Sequence, residues 1–287
     1  MRIKITTDST ADASKEFLDS YGISYIPLIV NMGDEECFDT ETVTTADIQE
    51  FVAKTGKLPK TAARSVEDFK AFFKPFLDEG YDAIIHFSIS NELSCVYKNA
   101  QTASFELCQD KIFIVDSRNL STGTTLLAIH ATELANQGYS AKDIADIERR
   151  RAYNVQSSFV VDTLTHLYKG GRCSMLSMFG ANLLKLRPKL QLIDGKIVPT
   201  GKYRGKMDVV LTKYIDDTLA DYNNPDTARC FITHTSADQE MVNKIIEYVK
   251  SKNIFNEVIE TKANATVYTH CGKGTLGLLY INDGGKF

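Results

Sequence analysis

The chain has 287 residues and a formal net charge of −4, with 43% hydrophobic and 24% charged residues. That length suits two domains better than one core, the acidic balance argues against generic nucleic-acid binding, and no apolar run approaches the length that spans a bilayer. The six cysteines have no CxxC spacing and the five histidines no ligand-pair spacing, so neither a disulfide frame nor a metal site is expected, and the thiols read as reduced in a cytoplasm.

Ile3–Thr7 alternates into Asp8 and reads as a strand ending at TDST, with no signal-peptide pattern. A helix over Lys15–Tyr21, an apolar strand over Ile23–Val30 and an acidic, irregular stretch over Asn31–Thr42 follow. Thr44–Lys54 reads as a capped helix with Ile48, Phe51 and Val52 on one face. Gly56–Arg64 reads as a loop containing Pro59 and Thr61. The next helix, from Ser65, carries Val66, Phe69, Phe72, Phe73 and Phe76 at helical spacing.

The apolar strand Ala83–Phe87 then runs into the polar turn SISNELS and a helix to about Leu107. A strand that ends in hydroxyls and feeds a helix collects free N–H and O–H donors at one point, which favours an anion. Ser94 in that turn reads either as an anion donor or as a plain helix cap. Lys111–Asp116 is a further strand ending in VDS, and Ser121–Gln137 and Ser140–Asn154 read as helices. Strands ending at TDST, SISNELS and VDSRNLS place Asp8, Ser9, Ser90, Ser94, Asp116, Ser117 and Ser121 on one rim of a mostly parallel sheet. For Asp8, Asp116 and Ser117 the turn-and-cap role of such residues is the stronger reading.

Val155–Val161 opens a new strand, and a short helix, Leu164–Lys169, stops at Gly170–Gly171. From Lys169 to Lys206 the chain carries nine Lys or Arg and one acid, Asp194. Guanidinium groups bind phosphate and carboxylate bidentately. Arg172 and Arg204 each adjoin a glycine, which lets a ligand approach the backbone closely. Leu176–Leu186 is apolar and Met-rich, suited to a lipid tunnel or an ordinary core. Leu190–Ile193 and Lys196–Pro199 read as a hairpin around Asp194–Gly195. Met207–Tyr222 reads as a helix, and Arg229–His234, Ala237–Lys250 and Glu257–Lys262 as a β-α-β unit. The last segment reads as a strand reaching His270, a Gly272–Lys273–Gly274 turn and a final strand. With no long heptad or exposed apolar stripe, a monomer is expected.

TDSTAD, SISNELSCVY, VDSRNLSTG, YKGGRCS, LKLRPKLQLIDGKIVPTGKYRGK and THCGKG stand in one order that resembles the DegV family of bacterial lipid-binding proteins, over nearly the whole chain. The resemblance implies an α/β, two-domain DegV-like (EDD) fold. A parallel-sheet three-layer domain over residues 1–156 and a second α/β domain with a mixed sheet over residues 157–287 would hold the ligand between them. It implies a long-chain fatty acid with its tail buried and its carboxylate held by Thr61, Ser94 and His270. It further implies a fatty acid kinase subunit as partner, with Arg172 and Arg204 serving phosphotransfer or docking, and an acyl phosphate destined for phospholipid synthesis. No cofactor, metal, nucleic acid or integral membrane contact is implied.

The chain departs from the family pattern in three places. LSGTY is LSCVY here, so that Cys95 would narrow the head-group turn. HxGPG is HCGKG, with Lys273 for Pro. The second Gly after VDS is Thr124 or Thr125. The alternative is an acyl or phosphoryl hydrolase with Ser94 as nucleophile and His270 as base. Against it, Ser94 lies in no GxSxG elbow and no third, orienting acid stands out. With no Walker motif or GxGxxG, the chain is not expected to bind ATP itself.

Overall fold

A computed structural model describes residues 1–173, 186–235 and 238–286. The Met-rich stretch read over Leu176–Leu186 lies outside the described residues except for its last position. In chain order the elements are β1 (Ile3–Asp8), α1 (Lys15–Ser20), β2 (Ser24–Ile26), β3 (Ile29–Met32), β4 (Glu35–Phe38), α2 (Thr45–Thr55), β5 (Lys60–Ala62), α3 (Val66–Asp78), β6 (Ala83–Ser88), α4 (Val96–Cys108), β7 (Ile112–Asp116), α5 (Thr122–Asn136) and α6 (Ala141–Arg151). There follow β8 (Val155–Val160), α7 (Thr165–Lys169), β9 (Leu186–Ile193), β10 (Lys196–Arg204), α8 (Met207–Asp221), β11 (Arg229–His234), α9 (Gln239–Ser251), β12 (Glu257–Lys262), α10 (Ala265–Cys271) and β13 (Leu276–Ile281).

The first half builds a four-stranded sheet in the order β2-β1-β6-β7, parallel throughout. The second half builds a six-stranded mixed sheet, β10-β9-β8-β13-β11-β12, in which only β11 and β12 pair in parallel. This is the α/β arrangement read from the alternation of elements, with a parallel and a mixed sheet. Helix α5 lies between the two sheets: Leu126, Leu127 and Ile129 share a core with Ile5 of β1, Val115 of β7 and Leu279 and Ile281 of β13. A helix enclosed by two layers needs only a narrow polar face, and ten of the fifteen α5 residues are buried, most of them small or apolar.

Three local readings change. The strand read over Ile23–Val30 breaks at Pro27, which supplies no N–H to a ladder. Its first part, β2, stays in the parallel sheet, and its second, β3, joins a small antiparallel sheet, β4-β3-β5. The acidic stretch over Asn31–Thr42 is not irregular: β3 and β4 form a hairpin whose turn places Gly33 at φ 71°. Within the loop read over Gly56–Arg64, Lys60–Ala62 is strand β5, with Thr61 opposite Val30.

The fourth change concerns His270. Ala265–Cys271 is helical rather than extended, although Thr, Val and Tyr favour strands. Two buried carboxylates from the first half hold its start. Asp12 Oδ1 accepts from Asn264 N at 2.8 Å, and Asp39 accepts from Ala265 N at 2.8 Å and Thr266 N at 3.2 Å. A helix has free N–H donors at its first turn, and here they are met by residues more than two hundred positions away in the chain.

The hairpin β9–β10 turns at Asp194–Gly195, both with positive φ (50° and 76°), as a two-residue turn of this kind needs. Its tip is tied to the first half. Ser90 Oγ donates to Gly195 O at 2.8 Å, Arg118 reaches Asp194 at 3.0 Å and Lys196 lies 3.5 Å from Glu92.

Candidate functional site

The rim read from the sequence exists, and most of its members have structural work. Asp8 accepts from Ile89 N at 2.8 Å and from Thr10, fixing the turn after β6. Asp116 accepts from Arg118 N at 2.8 Å and Asn91 N at 3.3 Å. Ser9 Oγ donates to Asp39 at 2.9 Å and accepts from Leu28 N at 3.0 Å. These residues shape turns, as Asp and Ser commonly do.

Beneath them lies a cavity with an empty volume of about 570 Å³, partly open to solvent. Its walls are apolar, with Leu28, Ile89, Leu93, Leu120, Ile197 and Val267 among them, and its polar groups include Thr61, Ser94, Arg172 and His270. Four separate elements thus converge: β5 supplies Thr61, the turn before α4 supplies Ser94, the Gly-Gly stop of α7 supplies Arg172, and the last turn of α10 supplies His270. A largely apolar cavity with a few convergent polar groups is the general form of a small-molecule site.

Thr61 Oγ1 and His270 Nε2 are hydrogen-bonded at 2.8 Å. Burial, then Arg172, then His166 hold the His270 imidazole down to about 4, so it is neutral at neutral pH. With Nε2–H donating to Thr61, the threonine hydroxyl proton is free to donate elsewhere. His270 Nδ1 has no hydrogen-bond partner and faces Gly170, where a Cβ would collide with it. Gly170 is therefore a position where imidazole and backbone approach too closely for any side chain. Ser94 is half-buried at the start of α4, and its Oγ accepts from Val96 N at 3.4 Å. Cap and donor are thus compatible for this hydroxyl, because its own proton is not used in the cap.

Arg172 donates from Nη1 to Gly170 O at 2.7 Å and from Nε to Leu93 O at 3.4 Å. Its side chain spans from the α7 stop to the residue before Ser94 and brings positive charge to the polar end of the cavity. Arg204 lies elsewhere. It is exposed at the end of β10, opposite Leu186, and does not line the cavity. Sequence reasoning missed His166, which bonds Thr269 O through Nδ1 at 3.0 Å. A Cβ at Gly272 would strike its ring. The available signal was its place one helical turn before Gly170. Cys95 stands at the N-cap position of α4 without a side-chain cap bond, its side chain exposed and outside the cavity lining. Lys273 is likewise exposed.

A second, smaller space adjoins the first, with Leu120, Val267 and Cys271 lining both. Phe159, Leu192 and Leu279 contribute its apolar wall. Among the described residues no group of three His, Cys, Asp or Glu is placed to hold a metal ion, and no helix is long and apolar enough to cross a membrane. Among the described residues no two cysteines are joined in a disulfide.

The family model described as DegV matches residues 2–283. A protein of Thermotoga maritima named as a fatty acid-binding protein is 30% identical over 286 residues, covering 96% of each chain. A DegV domain-containing protein of Clostridium perfringens is 28% identical over 284 residues, covering 98% of this chain and 99% of that one. Among solved structures, a fatty-acid-binding DegV family protein of Thermus thermophilus superposes with a TM-score of 0.90 at 27% identity, covering 98% of this chain and all of that one. DegV of Bacillus subtilis, described as a fatty acid binding protein, does so with a TM-score of 0.85 at 28% identity, covering 99% and 100%.

Proposed function

This chain belongs to the DegV family, and from that premise we propose that it binds a long-chain fatty acid and presents it to a partner kinase. The carboxylate sits among Thr61, Ser94 and His270, the tail fills the apolar cavity and runs past Leu120 into the second space, and the kinase approaches from the Arg172 side. The product is an acyl phosphate, which feeds phospholipid synthesis. Arg204, exposed and outside the cavity, is assigned to kinase docking. The observation that carries the reading is the Thr61–His270 pair at the polar end of an otherwise apolar cavity. The naming of similar proteins for fatty acid binding supports it.

The energetics fit a carrier. Each buried methylene contributes about 0.8 kcal/mol, so a tail of about sixteen carbons offers on the order of 12 kcal/mol before ordering costs. Two hydroxyls then suffice to orient the head, at about 1 to 3 kcal/mol each toward a charged acceptor, with His270 holding Thr61 so that its hydroxyl proton faces the carboxylate. The hydrolase alternative lacks support in the geometry. His270 Nε2 is engaged by Thr61, and among the described residues no carboxylate is hydrogen-bonded to His270.

The test is mass spectrometry of small molecules extracted from the purified, denatured protein. One fatty acid per chain is expected. An empty extract, together with failure of the protein to take up added fatty acids, would remove the reading.

A further inference from the structure

Three carboxyl groups from the first half lie close together beside the second chamber. Asp8 ends β1, Asp12 stands in the turn after it, Asp39 follows β4, and all three are fully buried. Asp12 lines the chamber itself, and its carboxyl acts on two further wall residues, the hydroxyl of Ser121 and the thiol of Cys271. Among the described residues no lysine or arginine lines this space. His234 of β11 lines it too, but alternation along the strand turns its ring to the opposite face from Thr233, which meets Thr122 of α5, and toward Glu260 at 3.0 Å. Like charges buried together without a cation cannot all ionise.

The hydrogen-bond donors tell the three apart. Asp8 accepts from Ile89 N at 2.8 Å, from Thr10 N at 2.9 Å and from the Thr10 hydroxyl. Asp39 accepts from Ala265 N at 2.8 Å, Ser9 Oγ at 2.9 Å and Thr266 N at 3.2 Å. Asp12 accepts from Asn264 N at 2.8 Å through Oδ1, and its Oδ2 has no hydrogen-bond partner among the described residues. Three donors stabilise a carboxylate far better than one. Burial accordingly raises Asp8 and Asp39 above the usual carboxylate range and Asp12 well above it. A proton on Asp12 Oδ2 makes that oxygen a donor, with the neighbouring Ser121 Oγ, also without a partner, as its acceptor.

We propose that Asp12 is a proton-binding site coupled to the cargo: the acyl tail enters the second chamber only with Asp12 protonated, so that loading a fatty acid takes up a proton. The proposal rests on the fatty-acid reading above and adds its regulation. In the lipid-free protein water can enter the chamber and hydrate an ionised Asp12. The tail displaces that water, and an apolar chain gives a carboxylate nothing in its place. The proton comes from solvent, sits on Oδ2 while the tail is bound, and returns to solvent when the tail leaves. Binding therefore weakens as pH rises through the Asp12 midpoint of the lipid-free protein. Rising pH favours release, and the link runs through the tail and not through the head group.

The experiment measures the affinity of the full chain, stripped of lipid, for palmitic acid between about pH 8 and about pH 10, where His270 is neutral and the free acid is ionised. Uptake of one proton should weaken binding by up to about tenfold per pH unit once Asp12 ionises in the lipid-free protein. Asp12→Asn keeps an acceptor for Asn264 N and carries no charge at any pH, so its affinity should lack that slope. Infrared difference spectra, lipid-loaded minus lipid-free, read the proton in the unmodified protein. The carbonyl stretch of a protonated carboxyl should appear on loading in the same pH range. An affinity independent of pH, or a slope that Asp12→Asn shares, would overturn the proposal. Should the variant fail to fold, absence of the infrared band overturns it instead. Failure to bind palmitic acid at any pH would overturn the fatty-acid reading itself, and this one with it.

Discussion

His270 is governed by its surroundings more than by its own chemistry. Its imidazole is held down to about 4 by burial first, then by Arg172 and His166. Between pH 6.5 and about 4 the unfolded chain therefore holds a proton that the folded chain does not. Acidification through that window should destabilise the lipid-free protein by on the order of 3 kcal/mol from this residue alone. The check is the pH dependence of denaturation midpoints for the lipid-free protein and His270→Asn, whose curve should be flatter there. A bound carboxylate favours the charged ring, so NMR titration of His270 should show its midpoint rising when fatty acid is added. Gly170→Ala should displace the ring and lower fatty-acid retention by tenfold or more, because the new methyl occupies the place of Nδ1. Arg172→Ala should keep the lipid and lose acyl-phosphate formation with a kinase. Undiminished turnover would remove that role.

At the scale of elements, α10 depends on contacts that no local pattern reveals. Its composition favours a strand, and its helical state rests on Asp12 and Asp39 accepting from the N–H groups of Asn264, Ala265 and Thr266. Asp39→Asn would turn an amide NH₂ toward Ser9 Oγ–H or Thr266 N–H, both donors, at a cost of about 1 to 3 kcal/mol. Urea denaturation should show that loss, and fatty-acid retention should fall because His270 rides on the same helix. What the sequence showed clearly was whatever local periodicity governs: the helix from Ser65, the strand Ala83–Phe87, the Asp194–Gly195 hairpin and the β-α-β unit from Arg229. The three-residue strand β5 was hidden because its ladder is supplied by β3. The convergence of Thr61, Ser94, Arg172 and His270 was hidden for the same reason: their motifs carried no distance between them. Those motifs did disclose the family, since their order in the chain is a one-dimensional property.

Across the whole molecule, the two sheets share their cores. One apolar cluster joins Ile5 and Val115 to Phe231 and Leu279, and another joins Ile84 and Phe69 to Leu190 and Ile197. The proposed ligand would add its own methylenes to the second of these clusters. A ligand that binds only the folded state stabilises it by mass action. Removing the lipid should therefore lower Tm, and adding it back should restore Tm in proportion to the logarithm of the free concentration. A Tm that ignores lipid would separate the cavity from folding.

The tip of the β9–β10 hairpin gains a kinetic meaning from this. Leu192 and Ile197 flank the turn and wall the second and first chambers respectively, while Ser90, Arg118 and Glu92 fasten the tip between them. On the proposed reading, a cargo lying beneath the hairpin would be retained by these fastenings as well as by affinity. Two of the three fastenings are ionic and partly exposed, so salt weakens them while leaving the apolar grip intact. Residence time and equilibrium affinity thereby become separately adjustable, and a carrier can hold its cargo firmly between encounters without binding it too tightly to give it up.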